Sequence, residues 1–344
     1  MEVVLLLDDL TNILNIDSSN YHSILRNIPN VIEAIWRPEF SSSEKFSPKA
    51  IILAGSDKFC SICTIIQSYF KSMGNVPIII ANQVNLIDYT EEFLVIYYDA
   101  SEEHVTRKSL ELVRKYPKSK TIVLSPDPFL SEDQNTEKID ILYVKELKAR
   151  PYGLEILFTV VILLSNRLGI IPDCSGEISN ICLELKNFIK LIDCSNPTVK
   201  NPAKRMAGQM VGRLIVIVGS GFLSQVAKFW KDQINSISKS WAQYEFIPEI
   251  KINTLKSVHF PESMLSISIF VFLISDLHLP EEVFQISKIK HYLLSSGVGT
   301  DEIRARGDSI LSQTFNLIVF GEYVAYYLAI LNGIDPSFEP ILDY

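Results

Sequence analysis

Short turns that follow apolar runs carry the residues that could do chemistry. In residues 94–105, LVIYYDASEEHV, the apolar run Leu94 to Tyr98 leads into Ser101-Glu102-Glu103, which opens a stretch with helical spacing at Val105, Leu110, Leu112 and Val113. A strand feeding a helix start is an anion site, because the first main-chain N–H groups of a helix are unpaired and its dipole favours negative charge there. This turn holds one serine, two tyrosines and Asp99 but no glycine, so its position suits an anion better than its residues do. The succession of apolar strand, Gly-Ser and helix recurs at 50–56 (AIILAGS) and 214–221 (LIVIVGSG).

Other chemistries find less support. Cys60 and Cys63 form a C-x-x-C at a helix start, but no second pair or histidine cluster completes a zinc site, and we read them as small residues on a helix flank. The five histidines show no ligand spacing, so no metal is expected. A dinucleotide fingerprint at Gly219-Ser220-Gly221 needs a further glycine at 224, which is Ser224. No cofactor is expected.

The elements that position these turns follow from composition and pattern. A chain of 344 residues is too long for one ordinary core, and 47% hydrophobic with 21% charged residues is a globular composition. A formal charge of -8 without a dense Lys/Arg run argues against nucleic acid. Five cysteines without a regular framework suit a reducing cytoplasm. The N-terminal MEVVLLLDDL has the wrong charges for a secretory signal, and Leu157 to Leu164 is too short to span a bilayer, so it reads as a buried helix and no membrane partner is expected.

Further strands are predicted at 76–81, 93–98, 121–125, 140–144 and 266–275. Continuous apolar strands alternating with helices imply an α/β fold of two domains, each a parallel sheet covered by helices on both faces. The turn-rich stretch 193–203 marks a linker between a first domain at 45–192 and a second at 204–344, with an N-terminal helical segment at 1–44.

The run 201–249, NPAKRMAGQMVGRLIVIVGSGFLSQVAKFWKDQINSISKSWAQYEFIPE, resembles the second half of the archaeal-type bifunctional phosphoglucose/phosphomannose isomerases, which are built of two sugar isomerase (SIS) domains. The tail 316–336 and the stretch 150–158, RPYGLEILF, resemble the same family, and the resemblance runs in order over residues 45–340. It implies two SIS domains, a sugar phosphate ligand, a two-fold homodimer and interconversion of glucose 6-phosphate or mannose 6-phosphate with fructose 6-phosphate. The apolar closing helix at 324–331 is expected to be fully buried in that dimer.

The resemblance also assigns residues. The family cradles phosphate with a turn of the type S-Y-S-G-N-T-E-E. Ser101 stands at its threonine, Asp99 at its glycine, and Tyr98 and Ile96 at its serines. Gly55-Ser56-Asp57 replaces G-S-G and Ser125-Pro126-Asp127 replaces S-G-G, so Gly55, Ser56, Ser101, Ser125 and Arg150 are the candidate phosphate and sugar ligands, with Gly219 and Ser220 in the second copy. Asp57, Asp99 and Asp127 either repel a phosphate, at a cost on the order of several kcal/mol at low effective dielectric, or serve as solvated caps; Lys58 and Arg150 could compensate.

The family base is the last glutamate of P-E-x-N-H-N-E. Here 248–254 reads PEIKINT, so Thr254 occupies the base position and Ile252 that of the histidine. Glu249 or Glu245 could take over as base. His278, with His259 as the alternative, matches the ring-opening histidine. No lysine follows Lys290, and the tail offers Glu339 where the family has a lysine. Two readings follow: a phosphosugar isomerase with impaired catalysis at a rewired site, or a non-catalytic double-SIS protein that binds a sugar phosphate or regulates a partner.

Overall fold

The computed structural model describes residues 6–36, 46–73, 76–81, 92–98, 100, 118–126, 139–150 and 153–338. Ser101, Asp99, Asp127 and Glu339 therefore lie outside the described residues. The strands are β1 (Ala50–Gly55), β2 (Ile78–Ala81), β3 (Phe93–Tyr98), β4 (Lys120–Ser125), β5 (Ile139–Tyr143), β6 (Leu214–Ser220), β7 (Ala242–Ile247), β8 (Ser268–Ile274) and β9 (Gly299–Arg304). The principal helices are α1 (Leu10–Ile16), α2 (Tyr21–Ile35), α3 (Asp57–Met73), α4 (Leu154–Arg167), α5 (Ser175–Ile192), α6 (Pro202–Met210), α7 (Ser224–Ser238), α8 (Pro280–Ser295) and α9 (Ile310–Leu331).

Contacts divide the chain into two units, Asn30–Ser179 and Met1–Pro29 with Asn180–Tyr344. The expected linker at 193–203 thus falls inside the second unit, and the expected N-terminal segment is shared between the two.

The first unit holds a parallel sheet in the order β2-β1-β3-β4-β5. Every residue of β3 is buried, which requires cover on both faces. One face gathers Ile52, Val95, Tyr97 and Val123. On the other, Phe59 of α3 meets Tyr98 edge to face at 5.6 Å. The stretch expected as a buried helix is α4, buried from Leu154 to Ser165.

The second unit holds a parallel sheet in the order β7-β6-β8-β9. All seven residues of β8 are buried. Val216, Val218, Phe270, Phe272 and Ile274 form one face with Ile286, Ile289 and Leu293 of α8. On α7, Trp230 donates from Nε1 to the Leu317 carbonyl of α9 at 2.8 Å, and a Cβ at Gly321 would lie 2.5 Å from that indole nitrogen, so only glycine admits the ring. Among the described residues one helix, α9, is long and apolar enough to cross a membrane, yet 94% of that window is buried inside the fold. Its own chain covers it. The apolarity of 324–331 is therefore satisfied within the protomer and gives no separate ground for a dimer.

Both sheets place their switch point at a Gly-Ser turn. From β1 the chain passes to β2 on one side while β3 lies on the other; from β6 it passes to β7, with β8 opposite. In open α/β sheets a ligand crevice forms outside the carboxyl ends of such a strand pair.

Candidate active site

In the first unit the turn after β1 is tightly built. A Cβ on Gly55 would come 1.9 Å from the Tyr98 carbonyl oxygen, so a glycine is needed for β1 and β3 to close. The Ser56 amide donates to that carbonyl at 3.3 Å, and the Ser56 hydroxyl accepts from the Phe59 amide at 3.4 Å, capping α3. Tyr98, at a family serine position, is wholly buried, with its ring in the core. Ser125 ends β4 with 1% exposure, its carbonyl accepting from the Val144 amide at 2.8 Å. Arg150 pairs with the buried Glu155 at 2.7 Å and so is anchored to the first turn of α4.

Cys60 and Cys63 lie buried on α3 as free thiols, and burial pushes Cys60 up to about 11 and Cys63 well above the ordinary thiol range. Reactive dithiols need the opposite shift. The pair therefore serves as small residues on a helix flank.

In the second unit the polar groups collect at the carboxyl ends of β6, β7 and β8. Parallel pairing sets Glu245 beside Val218 and Ile247 beside Ser220, so Glu245 and Ser220 are one rung apart on the same face of the sheet, the face covered by α8. The Thr254 hydroxyl, on the turn after β7, folds back and donates to the Glu245 carboxylate. Burial raises the pKa of Glu245, and the Glu249 carboxylate raises it further, against the hydrogen bond from Thr254. Glu249 is exposed. The three residues singled out around the base position, Glu245, Glu249 and Thr254, are thus brought together.

Ser220 donates to Oε1 of Glu282 at 3.0 Å, and Oε2 of Glu282 accepts from the Leu279 amide at 2.9 Å at the start of α8. His278 is 7% exposed; its Nδ1 accepts from the Ser275 amide at 3.4 Å, which leaves the proton of a neutral ring on Nε2. Nε2 is buried and lacks a well-formed hydrogen bond among the described residues. Burial lowers the pKa of His278, with Glu282 acting against it. The ring lies 6.0 Å from that of Phe222. His259, the alternative histidine, is exposed. Glu282 is not among the residues expected from the sequence, although its place three residues after Leu279 and Pro280 at the head of an apolar helix is the pattern of a glutamate that reaches back to a cap.

The second unit also has a cleft of about 780 Å³ at the carboxyl end of β9, lined by Phe188, Arg205, Asp301, Arg306 and Phe320 among others. None of the sequence-predicted site residues lines it. The polar cluster at β6–β8, rather than this cleft, is where the sequence-predicted site residues of the second unit lie.

Residues 199–344 match the family model of the bacterial phospho-glucose isomerase C-terminal SIS domain. A bifunctional phosphoglucose/phosphomannose isomerase from Caldicellulosiruptor bescii is 26% identical over 249 residues, 72% of this chain and 69% of that protein. Its counterpart from Thermoplasma acidophilum is 29% identical over 155 residues, 45% of this chain and 47% of that protein. The chain is thus similar to this family, and over residues 199–344 it matches the family's C-terminal SIS domain. Among solved structures, a glucose-6-phosphate isomerase like protein from Thermus thermophilus aligns with a TM-score of 0.61 at 16% identity over 98% of this chain and 99% of that one. A glucosamine-6-phosphate deaminase from Thermotoga maritima aligns with a TM-score of 0.61 at 11% identity over 98% of each. At such identities the solved structures show the fold, two SIS-type α/β domains, and the relatives show phosphosugar isomerases as kin.

Proposed function

We propose that this protein binds a sugar phosphate and slowly interconverts its aldose and ketose forms, glucose 6-phosphate or mannose 6-phosphate with fructose 6-phosphate, with Glu245 as the base. The observation that carries this is the hydrogen bond from Thr254 to Glu245. At the position where the family's P-E-x-N-H-N-E motif ends in its base, a hydroxyl that cannot accept a proton at neutral pH is tied to a half-buried carboxylate whose raised pKa moves it toward the range of a general base. Glu245 would take the proton from C2 of the aldose and return it to C1 of the enediol. His278, neutral with its proton on Nε2, would donate to the ring oxygen during opening. Turnover is low because the carboxylate sits one side chain away from the matched position and the family lysine is missing.

A non-catalytic sugar-phosphate-binding role is the second reading. It is favoured by the threonine at position 254, where the family's base would stand, and by Ile252 in place of the motif's histidine. The residues expected to cradle the phosphate remain Gly55, Ser56, Ser101, Ser125 and Arg150. The free, buried state of all five cysteines supports a cytoplasmic setting. A homodimer is supported by apolar residues exposed around the start of α8, among them Leu279 and Phe284; light scattering that gives one chain per particle at micromolar protein would overturn it.

A coupled assay of fructose 6-phosphate turnover tests the function. Slow activity that disappears in Glu245→Gln and rises in Thr254→Glu is expected. Thermal stabilisation by fructose 6-phosphate without turnover in either protein would favour the binding role.

A further inference from the structure

The cleft at the carboxyl end of β9 has no part in the proposed reaction, and its volume of about 780 Å³ falls within the range of small-molecule sites, roughly 300–1,000 Å³. Strand β9 with the loop after it, α6, and parts of α5 and α9 enclose it. That loop is pinned. The Ala305 amide donates to the Ile274 carbonyl at 2.8 Å, the Arg306 amide to Oδ1 of Asn316 at 3.1 Å, and Nε2 of Gln313 to the Gly307 carbonyl at 2.9 Å. Arg306 is therefore presented by a fixed main chain, and its guanidinium lies over the Phe188 ring of α5, 5.0 Å from the centroid. A guanidinium stacked on a ring keeps its N–H edges free to hold an anion with two parallel hydrogen bonds.

Two arginines of the cleft are left over by the protein's own ion pairs. Asp276 pairs with Arg304, Glu302 pairs with Lys290, and Oδ1 of Asp301 accepts from the Glu302 amide at 2.8 Å. Asp308 lies exposed on the loop. Arg205 of α6 and Arg306 line the cleft with these four carboxylates, yet neither has an ion-pair partner among the described residues. A third donor is buried. Asn316 of α9, 7% exposed, lines the same cleft, and because its Oδ1 is taken by the Arg306 amide the orientation of its side-chain amide is fixed. Its Nδ2 has no acceptor among the described residues. A largely buried donor is unfavourable unless something in the cleft accepts from it.

We propose that this cleft is a binding site, distinct from the polar cluster at β6–β8, for a small metabolite that carries a phosphate or carboxylate group, with Arg205, Arg306 and Nδ2 of Asn316 as its donors. These groups can only donate, so together they select an anion rich in acceptors over a neutral or cationic ligand. The rings of Phe188 and Phe320, 5.6 Å apart, line the same cleft and offer apolar contact to the rest of the metabolite.

Equilibrium dialysis of the full-length protein against radiolabelled inorganic phosphate, and separately against radiolabelled citrate, at millimolar concentrations counts the bound anions. The double variant Arg205→Gln/Arg306→Gln changes two exposed side chains and is expected to bind one anion fewer per chain than the unmodified protein. A loss with phosphate alone assigns the site to phosphate groups, a loss with citrate alone assigns it to carboxylates, and a loss with both means that it takes either. Asp308→Asn removes the exposed carboxylate of the loop and is expected to tighten the same site about two- to fivefold, the scale of one exposed charge interaction. The count is a difference between proteins that share the first-domain turn, so it stands whether or not that turn binds phosphate. Equal counts in the unmodified protein and the folded double variant with both probes would overturn the inference.

Discussion

The turns after β1 and β6 begin from nearly the same sequence, AIILAGS and LIVIVGSG, and end in different chemistry. In the first, the glycine is fixed by backbone: Gly55 closes against the Tyr98 carbonyl, and Ser56 spends its hydroxyl on capping its own helix. In the second, the same place is governed by a side chain, with Glu282 reaching across to Ser220 and Gly221. A Gly-Ser turn at a switch point is therefore a scaffold whose function is decided by what packs against it. A backbone neighbour cannot move aside; the end of a flexible side chain can.

That difference sets the largest expected effect. Gly55→Ala should cost about 3 kcal/mol or more, because the added carbon would sit on a main-chain oxygen that cannot yield without separating β1 from β3. Gly221→Ala should cost about 1–2 kcal/mol, the strain of a left-handed residue, with the clash relieved by movement of Glu282. Denaturant melts of the two variants check the ranking. The comparison sharpens in a double-mutant cycle: Glu282→Ala should reduce the cost of Gly221→Ala and leave that of Gly55→Ala unchanged.

Acid should act on the second unit through carboxylates with depressed pKa values. Burial, the largest single influence on Asp193, raises its pKa but is outweighed by Ser195 and Arg26 together, which hold it below the usual range, and Asp8 is held low in the same way by Thr198 and Lys204. Because their folded pKa values lie below the unfolded ones, the stability they contribute is present above the ordinary value of 3.8 and is lost as pH falls through the folded values. Melts followed by Trp230 fluorescence, with Trp36 and Trp241 replaced by Phe, should show that loss below about pH 4. The smallest effect concerns Cys60, pushed up to about 11 by burial. A thiol reagent at pH 7 should leave Cys60 and Cys63 unmodified in the native protein over minutes and modify both after unfolding.

Much of this architecture is legible in the residues. The apolar cores of β1, β3, β6 and β8 announce a doubly covered parallel sheet because such strands have no solvent face to mark with polar residues. The edge strands β7 and β9 are not among the expected strands. AQYEFI and GTDEIR are partly exposed and carry polar and charged residues suited to an edge, so their pattern competes poorly with that of a loop. The closing helix is buried as its composition suggests, but a one-dimensional pattern does not say whether its own chain or a partner covers it.

The candidate site shows the same limit. Thr254 and His278 come from matched positions, and Glu245 from its nearness in sequence to the lapsed motif. That the Thr254 hydroxyl meets Glu245 depends on a turn folding back along β7, and the contact of Glu282 with Ser220 joins residues 62 apart. Sequence spacing shows neither.

The central claim is that Glu245 handles the proton at C2, and isotope exchange reads that step without requiring full turnover. Fructose 6-phosphate in deuterium oxide, followed by proton NMR, reports exchange of the C1 proton through the enediol. The account predicts slow exchange with the unmodified protein and a loss of roughly a hundredfold or more in Glu245→Gln, the scale expected when a positioned general base is removed. Equal exchange rates for the two proteins, with fructose 6-phosphate bound by both, would contradict it.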